Sequence, residues 1–228
     1  MVKFLLKFIK GETYLIDSNV STLDFSIIII NRLIMLLRGL FFRVSIKGRG
    51  LIFIGKNVYI SHKHKIKFGK NVTIKDNSAI IGLVKSKIII GHNFTLGTNS
   101  LIEGYGVLNE IGESLIIGEN VGIGSHSFIA IRGKIEIGSN TIFGPGLKIH
   151  PESHNFSNKD LLIRKQGTKR KGIQIGSNCW IGSNVTILDG VVIEDGAVIG
   201  ANSLVNKDVG KNEIHFGVPN KFFKNRLL

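Results

Sequence analysis

Between Phe68 and Val205 an aliphatic or aromatic residue returns every six positions, usually followed by Gly, two polar residues and a small residue. The clearest run starts at Ile175-Gly-Ser-Asn-Cys-Trp and continues through Ile181, Ile187, Ile193 and Ile199 to Val205. This interval matches neither the 3.6-residue period of one long amphipathic helix nor the simple alternation of a strand. Six residues suit a short strand plus a turn, and three such units close a triangular coil of eighteen residues. The apolar leaders group in trios that begin at Phe68, Ile90, Ile117, Ile137, Ile175 and Ile193, at intervals of 22, 27, 20, 38 and 18 residues. All the excess over eighteen therefore falls at the third corner of a coil, where a loop can bulge without disturbing the core. The leaders are expected to point inward. So are the fifth residues, among them Val72, Ser78, Ser100, Ser127, Thr141, Cys179, Val185, Ala197 and Ser203, whose small size suits a narrow prism. Gly and Asn at the corners fit turns with left-handed backbone angles. The pattern predicts an all-β fold, a parallel β-helix whose coils stack on one another and whose ends need caps.

Residues 1–47 differ in kind. Ser21-Thr-Leu-Asp24 reads as a capping box opening a helix. Phe25 to Phe42 is apolar except for a few positions, and Asn31, Arg32 and Arg38 fall within about a third of a helical circumference. Two arginines argue against a membrane-spanning segment. Two helical readings stand: a cap on the open end of the β-helix, or a helix lying in a membrane interface. The β-branched run Ile27–Ile30 would also suit a strand. The expected organisation is 1–47 as cap or membrane-interface segment, 48–210 as the β-helix with an insertion loop over 150–174, and 211–228 as a short basic C-terminal tail.

Composition adds three constraints. The formal charge is +14, which favours phosphorylated ligands or an anionic membrane, or is simply solvated. No nucleic-acid module is visible, so no nucleic-acid partner is expected. The single Cys, Cys179, lies at an inward position, so no disulfide framework is expected, in keeping with a reducing cytoplasm. The first residues lack the small-residue pattern of a cleaved signal sequence.

The longest break in the repeat lies between Ile149 and Ile175 and carries His150 and His154. A long loop interrupting a regular stack is where chemistry is expected, and a neutral imidazole can take a proton from a hydroxyl. Three segments carry a resemblance: Gly144-Pro-Gly-Leu-Lys-Ile-His-Pro-Glu-Ser-His154-Asn-Phe, Lys171-Gly-Ile-Gln-Ile-Gly-Ser-Asn-Cys-Trp180-Ile-Gly-Ser183, and Ala201-Asn-Ser-Leu-Val-Asn-Lys-Asp208 with Gly217-Val-Pro-Asn-Lys-Phe-Phe-Lys224. Over residues 50–225 the chain resembles the hexapeptide-repeat acetyl-CoA-dependent O-acetyltransferases, most of all those of surface-polysaccharide synthesis and the galactoside and maltose type.

The resemblance implies a left-handed coil, against the usual right-handed crossover rule. It also implies a homotrimer with acetyl-CoA between neighbouring β-helices and no metal. The acceptor would be a sugar hydroxyl on a polysaccharide precursor or a lipid-linked or phosphorylated glycan, and the enzyme would be cytoplasmic or peripheral at the inner face of the membrane. His154 would be the general base and the Ser183 N–H the oxyanion donor. Trp180, Ser183, Ala201 and Asn206 would line the coenzyme arm, with Lys207, Lys221 and Lys224 near its phosphates. His126, Arg132 and Asn155 would face the acceptor, although an Arg at position 132 departs from the galactoside-type pattern, and these positions also read as ordinary exposed ones. Cys179 is not expected to act as a nucleophile. The alternatives are N-acylation of an amino-sugar, a γ-carbonic-anhydrase-like zinc hydratase using His126, His150 and His154, and a non-catalytic scaffold. His62 and His64 form a further paper metal pair, read as solvated.

Overall fold

The computed structural model describes residues 17–43 and 50–226. Expectations for residues 1–16, 44–49 and 227–228, that on a cleaved signal sequence among them, lie outside the described residues. Among the described residues the strands form three faces of a prism. The first face has six strands, from Ile66–Phe68 to Val192–Ile193, and the second has nine, from Ile52–Ile54 to Lys221–Asn225. The third has seven, from Tyr59–Ser61 to Leu204–Val205. Apart from Lys221–Asn225, each strand of these faces pairs in parallel with its counterpart one coil away, so Ile123 sits over Phe143, Phe143 over Ile181 and Ile181 over Ile199. The fold is a left-handed parallel β-helix.

Every leader named above as the start of a trio is buried, and so are the nine small inward residues. The inward hydroxyls do not stay unpaired: Ser100 Oγ accepts from Ser127 N and Thr141 Oγ1 from Cys179 N, each one coil away. Buried polar atoms must find partners, and these bonds also tie successive coils. At the first corner Asn71, Asn93, Asn120 and Asn140 all have φ between 56° and 59°. Their side chains form a ladder, each Nδ2 donating to the next Oδ1 at 2.8–3.2 Å. Asn tolerates the left-handed region better than other side chains, and here its amide also satisfies itself along the stack.

The repeat reaches further than its clearest part. Ile54 and Ile60 already occupy leader positions on the second and third faces. At the other end the expected tail is two strands: Glu213–Phe216 continues the second face and Lys221–Asn225 returns antiparallel beside it. The turn of this hairpin closes over the last coil, with Gly217 O accepting from Leu204 N and Asn220 N donating to Leu204 O.

Helix α1, Thr22–Arg43, opens with the expected capping box: Asp24 N donates to Ser21 Oγ and Ser21 N to Asp24 Oδ2, both at 3.1 Å. The Ile27–Ile30 run is helical, not a strand. The side that carries Arg32 is the docked side: its guanidinium lies 3.4 Å from the Phe53 ring centre and donates to Thr73 Oγ1 at 3.0 Å. A Cβ on Gly39 would fall on the Ile52 carbonyl oxygen, so only glycine lets the helix backbone come this close to the first coil. Phe25, Ile29, Met35, Leu36 and Phe42 are half-buried on this docked side, while Leu23, Ile30, Leu33, Leu37, Leu40 and Phe41 point outward. By length and composition Thr22–Phe42 is also apolar enough to cross a membrane, whereas the two arginines suggest otherwise.

The corner ladder yields a test of the fold. Asn120→Ala should cost about 1–2 kcal/mol, because it places a Cβ-bearing residue without a side-chain amide in the left-handed region. Asn120→Gly should cost less, since it keeps the backbone freedom and loses only the amide bonds. Urea unfolding of both variants checks the order.

Candidate functional site

The insertions all leave the third corner. Among them, residues 104–113 and 151–172 lie against each other, and Arg170 joins them. Its Nε donates to Glu152 Oε2 at 2.6 Å, its Nη1 to Ile111 O at 3.1 Å and its Nη2 to Glu110 O at 3.2 Å. Glu110 Oε2 also accepts from Thr168 Oγ1. The Arg170 side chain is only 13% exposed, so these charge-assisted bonds are shielded from water. Above this clasp, Ser153–His154 pairs antiparallel with Thr168–Lys169 and forms a short ribbon. Gln166 closes the loop from inside, donating to Asn158 O and Leu161 O.

His154 is thus held by its backbone, while its ring is exposed and has no hydrogen-bond partner among the described residues. Glu152, two residues away, does not orient it, because its carboxylate is engaged by Arg170. Asn155 Nδ2 donates to Gln166 O and its N to Gly167 O, which fastens the ribbon.

Ser183 lies at the second corner, on the opposite edge of the third face from the His154 ribbon, so one chain does not bring the two together. Its N–H has no partner among the described residues, while Gly182 N and Asn184 N on either side are bonded to Ile199 O and Pro145 O. It is a free backbone donor held by two tied neighbours. Ala201 stands one coil above it, and Asn202 N donates to Ser183 O. Trp180 is 56% exposed on the second face, between Ile142 and Val198 in register. Lys221 and Lys224 are exposed on the returning strand of that same face. Asn206 and Lys207 lie beyond the third face, but the hairpin turn reaches them: Asn206 N donates to Asn220 Oδ1 at 3.2 Å, one residue before Lys221.

The other expected residues have structural occupations. His126 takes the place of a corner Asn, with φ 59°. Arg132 pairs with Glu103 and is 14% exposed, which leaves little free charge for an acceptor. His150 lies against Phe128, and burial, helped by Lys148 and Arg132, holds its imidazole below the usual pKa. Burial pushes the Cys179 thiol up, and its Sγ donates to Glu194 O at 3.2 Å, which opposes a thiolate nucleophile. His126 stands at the second corner and His150 and His154 at or beyond the third, and among the described residues no three potential ligands gather for a metal. A groove of about 450 Å³ lies on the first face between Ile116, Glu136, Gln174 and Lys211. It includes none of the candidate residues, and its acidic lining (Glu136, Glu194, Asp195) would repel phosphates.

Sequence reasoning missed the Arg170 clasp. Its only signal was the presence of Glu110, Glu152 and Arg170 in insertions at one corner.

Residues 172–207 match the family model described as bacterial transferase hexapeptide (six repeats). Over those residues the chain carries the repeat that this family model describes. No protein of curated function matches the sequence. It is similar to AntD, an N-acyltransferase from Bacillus cereus, in a structure with dTDP and coenzyme A. There the identity is 20% over 82% of this chain and 88% of that one, with a TM-score of 0.52. An AntD structure with dTDP-4-amino-4,6-dideoxyglucose and coenzyme A gives 19% identity over 84% and 90%, with a TM-score of 0.53. A maltose O-acetyltransferase from Clostridium difficile 630 gives 22% identity over 80% and 71%, with a TM-score of 0.42. At these identities the AntD likeness shows the fold.

Two outcomes follow. Arg170→Ala should free the 151–172 loop, seen as faster proteolytic cleavage within it, while Arg170→Lys, which keeps the charge but not the fork, should protect it in part. The folded-state pKa of His150 lies below its unfolded value, so folding releases a proton. Its contribution should be complete above about pH 6.5 and be lost as pH falls below that. His150→Gln should flatten this part of the stability profile.

Proposed function

We propose that the chain is an acetyl-CoA-dependent acyltransferase that moves an acetyl group to a sugar hydroxyl, in surface-polysaccharide or lipid-linked glycan assembly. The observation that carries this reading is the His154 ribbon: a regular stack is interrupted once at length, and the interruption is clasped so that it presents a free imidazole.

His154 accepts the proton of the acceptor hydroxyl as that oxygen attacks the thioester carbonyl. The Ser183 N–H donates to the oxyanion that forms, and its bonded neighbours hold it in place before the reaction begins. Collapse breaks the carbon–sulfur bond. The departing thiolate takes the proton from the His154 imidazolium, leaving an acetyl ester and free coenzyme A. Trp180, Ala201 and Asn206 flank the route of the coenzyme arm, and Lys207, Lys221 and Lys224 supply positive charge near its phosphates. His154 and Ser183 lie on opposite edges of the third face of one chain, so a complete site takes residues from two copies. That supports a homotrimer, whose closed symmetry repeats the same contact three times.

Isothermal titration of the purified protein with acetyl-CoA, followed by a screen of hydroxyl and amino sugars, tests this reading. His154→Ala should lower turnover by about 10²–10⁴-fold while acetyl-CoA still binds. Near-normal turnover would remove His154 from the mechanism, and absence of acetyl-CoA binding would overturn the transferase reading. Alkaline hydroxylamine separates the two acceptor classes, because it cleaves an ester product and leaves an amide.

A further inference from the structure

The outward side of α1 is an apolar arc. Leu23, Ile30, Leu33, Leu37, Leu40 and Phe41 project from it, each between 47% and 84% exposed. Asn31 and Arg38 border this arc, and the opposite side is fastened to the first coil through Arg32 and Gly39. Nine large apolar side chains of one helix in water are too many for chance scatter, and such a patch marks a docking surface.

Charge identifies the partner. Residues 1–75 hold 14 of the 30 Lys and Arg but only three of the 16 Asp and Glu. The remaining two thirds of the chain is close to balanced, with 16 basic and 13 acidic residues. Among the described residues, 17–75 hold nine Lys and Arg against two Asp and Glu, so the end of the prism that carries α1 is the basic one. Lys56, Lys67, Lys70 and Lys75 are exposed on the first coils there. A second copy presenting the same end would meet like charge. An anionic bilayer meets an apolar arc with a basic collar, which is the arrangement of an interfacial helix.

We propose that this end docks on an anionic phospholipid surface, with α1 lying in the plane of the interface. The bonds from Arg32 to Thr73 and the contact of Gly39 with Ile52 keep the helix against the coil, so the outer arc enters the lipid while the prism stays in water. This holds whether or not the chain transfers acyl groups.

Co-sedimentation of the full chain with vesicles tests it, using phosphatidylcholine with and without phosphatidylglycerol. The protein should pellet with the anionic vesicles and bind roughly tenfold less to phosphatidylcholine alone or at molar salt. The variant Leu33→Gln, Leu37→Gln, Phe41→Gln keeps good helix formers on the exposed arc. It should melt at the wild-type temperature and lose vesicle binding. Equal binding to neutral vesicles, or unchanged binding by the variant, would overturn the proposal. So would a smaller assembly of the variant in lipid-free sedimentation, which would assign the arc to a second copy. Retention in the pellet after alkaline carbonate would assign it to a spanning helix.

Discussion

Backbone hydrogen bonds between coils set the terms for everything else in this molecule. Gly124 N donates to Phe143 O, Gly144 N to Ile181 O and Gly182 N to Ile199 O, so each coil is held one strand spacing above the last. At that spacing a side chain on a corner glycine would strike the coil above. A Cβ on Gly144 would lie 2.6 Å from Ser183 N, and one on Gly182 2.6 Å from Ala201 N. Glycine at these positions, a left-handed residue two places on and a small inward residue after that are three consequences of one distance. The same register brings Asn over Asn at the first corner, where a wasted polar side chain becomes a bonded column.

A stack so constrained leaves few places for chemistry. The faces cannot bulge without breaking the ladder, and two of the corners are occupied by tight turns. Extra residues therefore collect at the third corner, and there the insertions of neighbouring coils can support one another. Arg170 uses this: it spans from its own loop to the one before and satisfies a carboxylate and two carbonyls at once. Removing a partner from a shielded cluster of this kind costs more than the pair contributes, because the remaining charge is left dry. The clasp thus makes the ribbon rigid at its base and leaves the His154 ring free at its edge.

Much of this was legible before any coordinates. The inward leaders, the small fifth residues, the corner glycines and the placement of every insertion follow from a repeat of six, because a one-dimensional stack converts sequence spacing directly into position. The repeat also extends to Ile54 and Ile60, which share the spacing but sit beside an irregular corner that hides it. What was not legible depends on contacts within irregular segments. Arg132 and Glu103, or Arg170 and Glu110, lie 29 and 60 residues apart, and no period relates them. The ion pair that Arg132 makes and the loop bond of Asn155 are therefore visible only in the structure. His126 likewise takes a corner position with a positive φ, which the repeat marks only by its spacing.

The two ends of the stack are closed in different ways. At the C-terminal end the Glu213–Asn225 hairpin continues the second face and buries His215, whose Nε2 meets Glu213 Oε2 at 2.8 Å, so a polar residue takes the last leader position. At the other end α1 covers Phe53 and Thr73 with the side that carries Arg32 and the half-buried Phe25, Ile29, Met35, Leu36 and Phe42, and a second apolar side faces away. A lid needs only its docked side to be apolar, whereas the outward side of α1 is apolar as well, and burying such aliphatic surface yields roughly 25 cal/mol per Å². Gly39 shows that the orientation is specific: the helix sits on Ile52 so closely that no other residue fits. The apolar arc is thus held outward by the docking of its opposite side, at the end of the chain where basic residues accumulate.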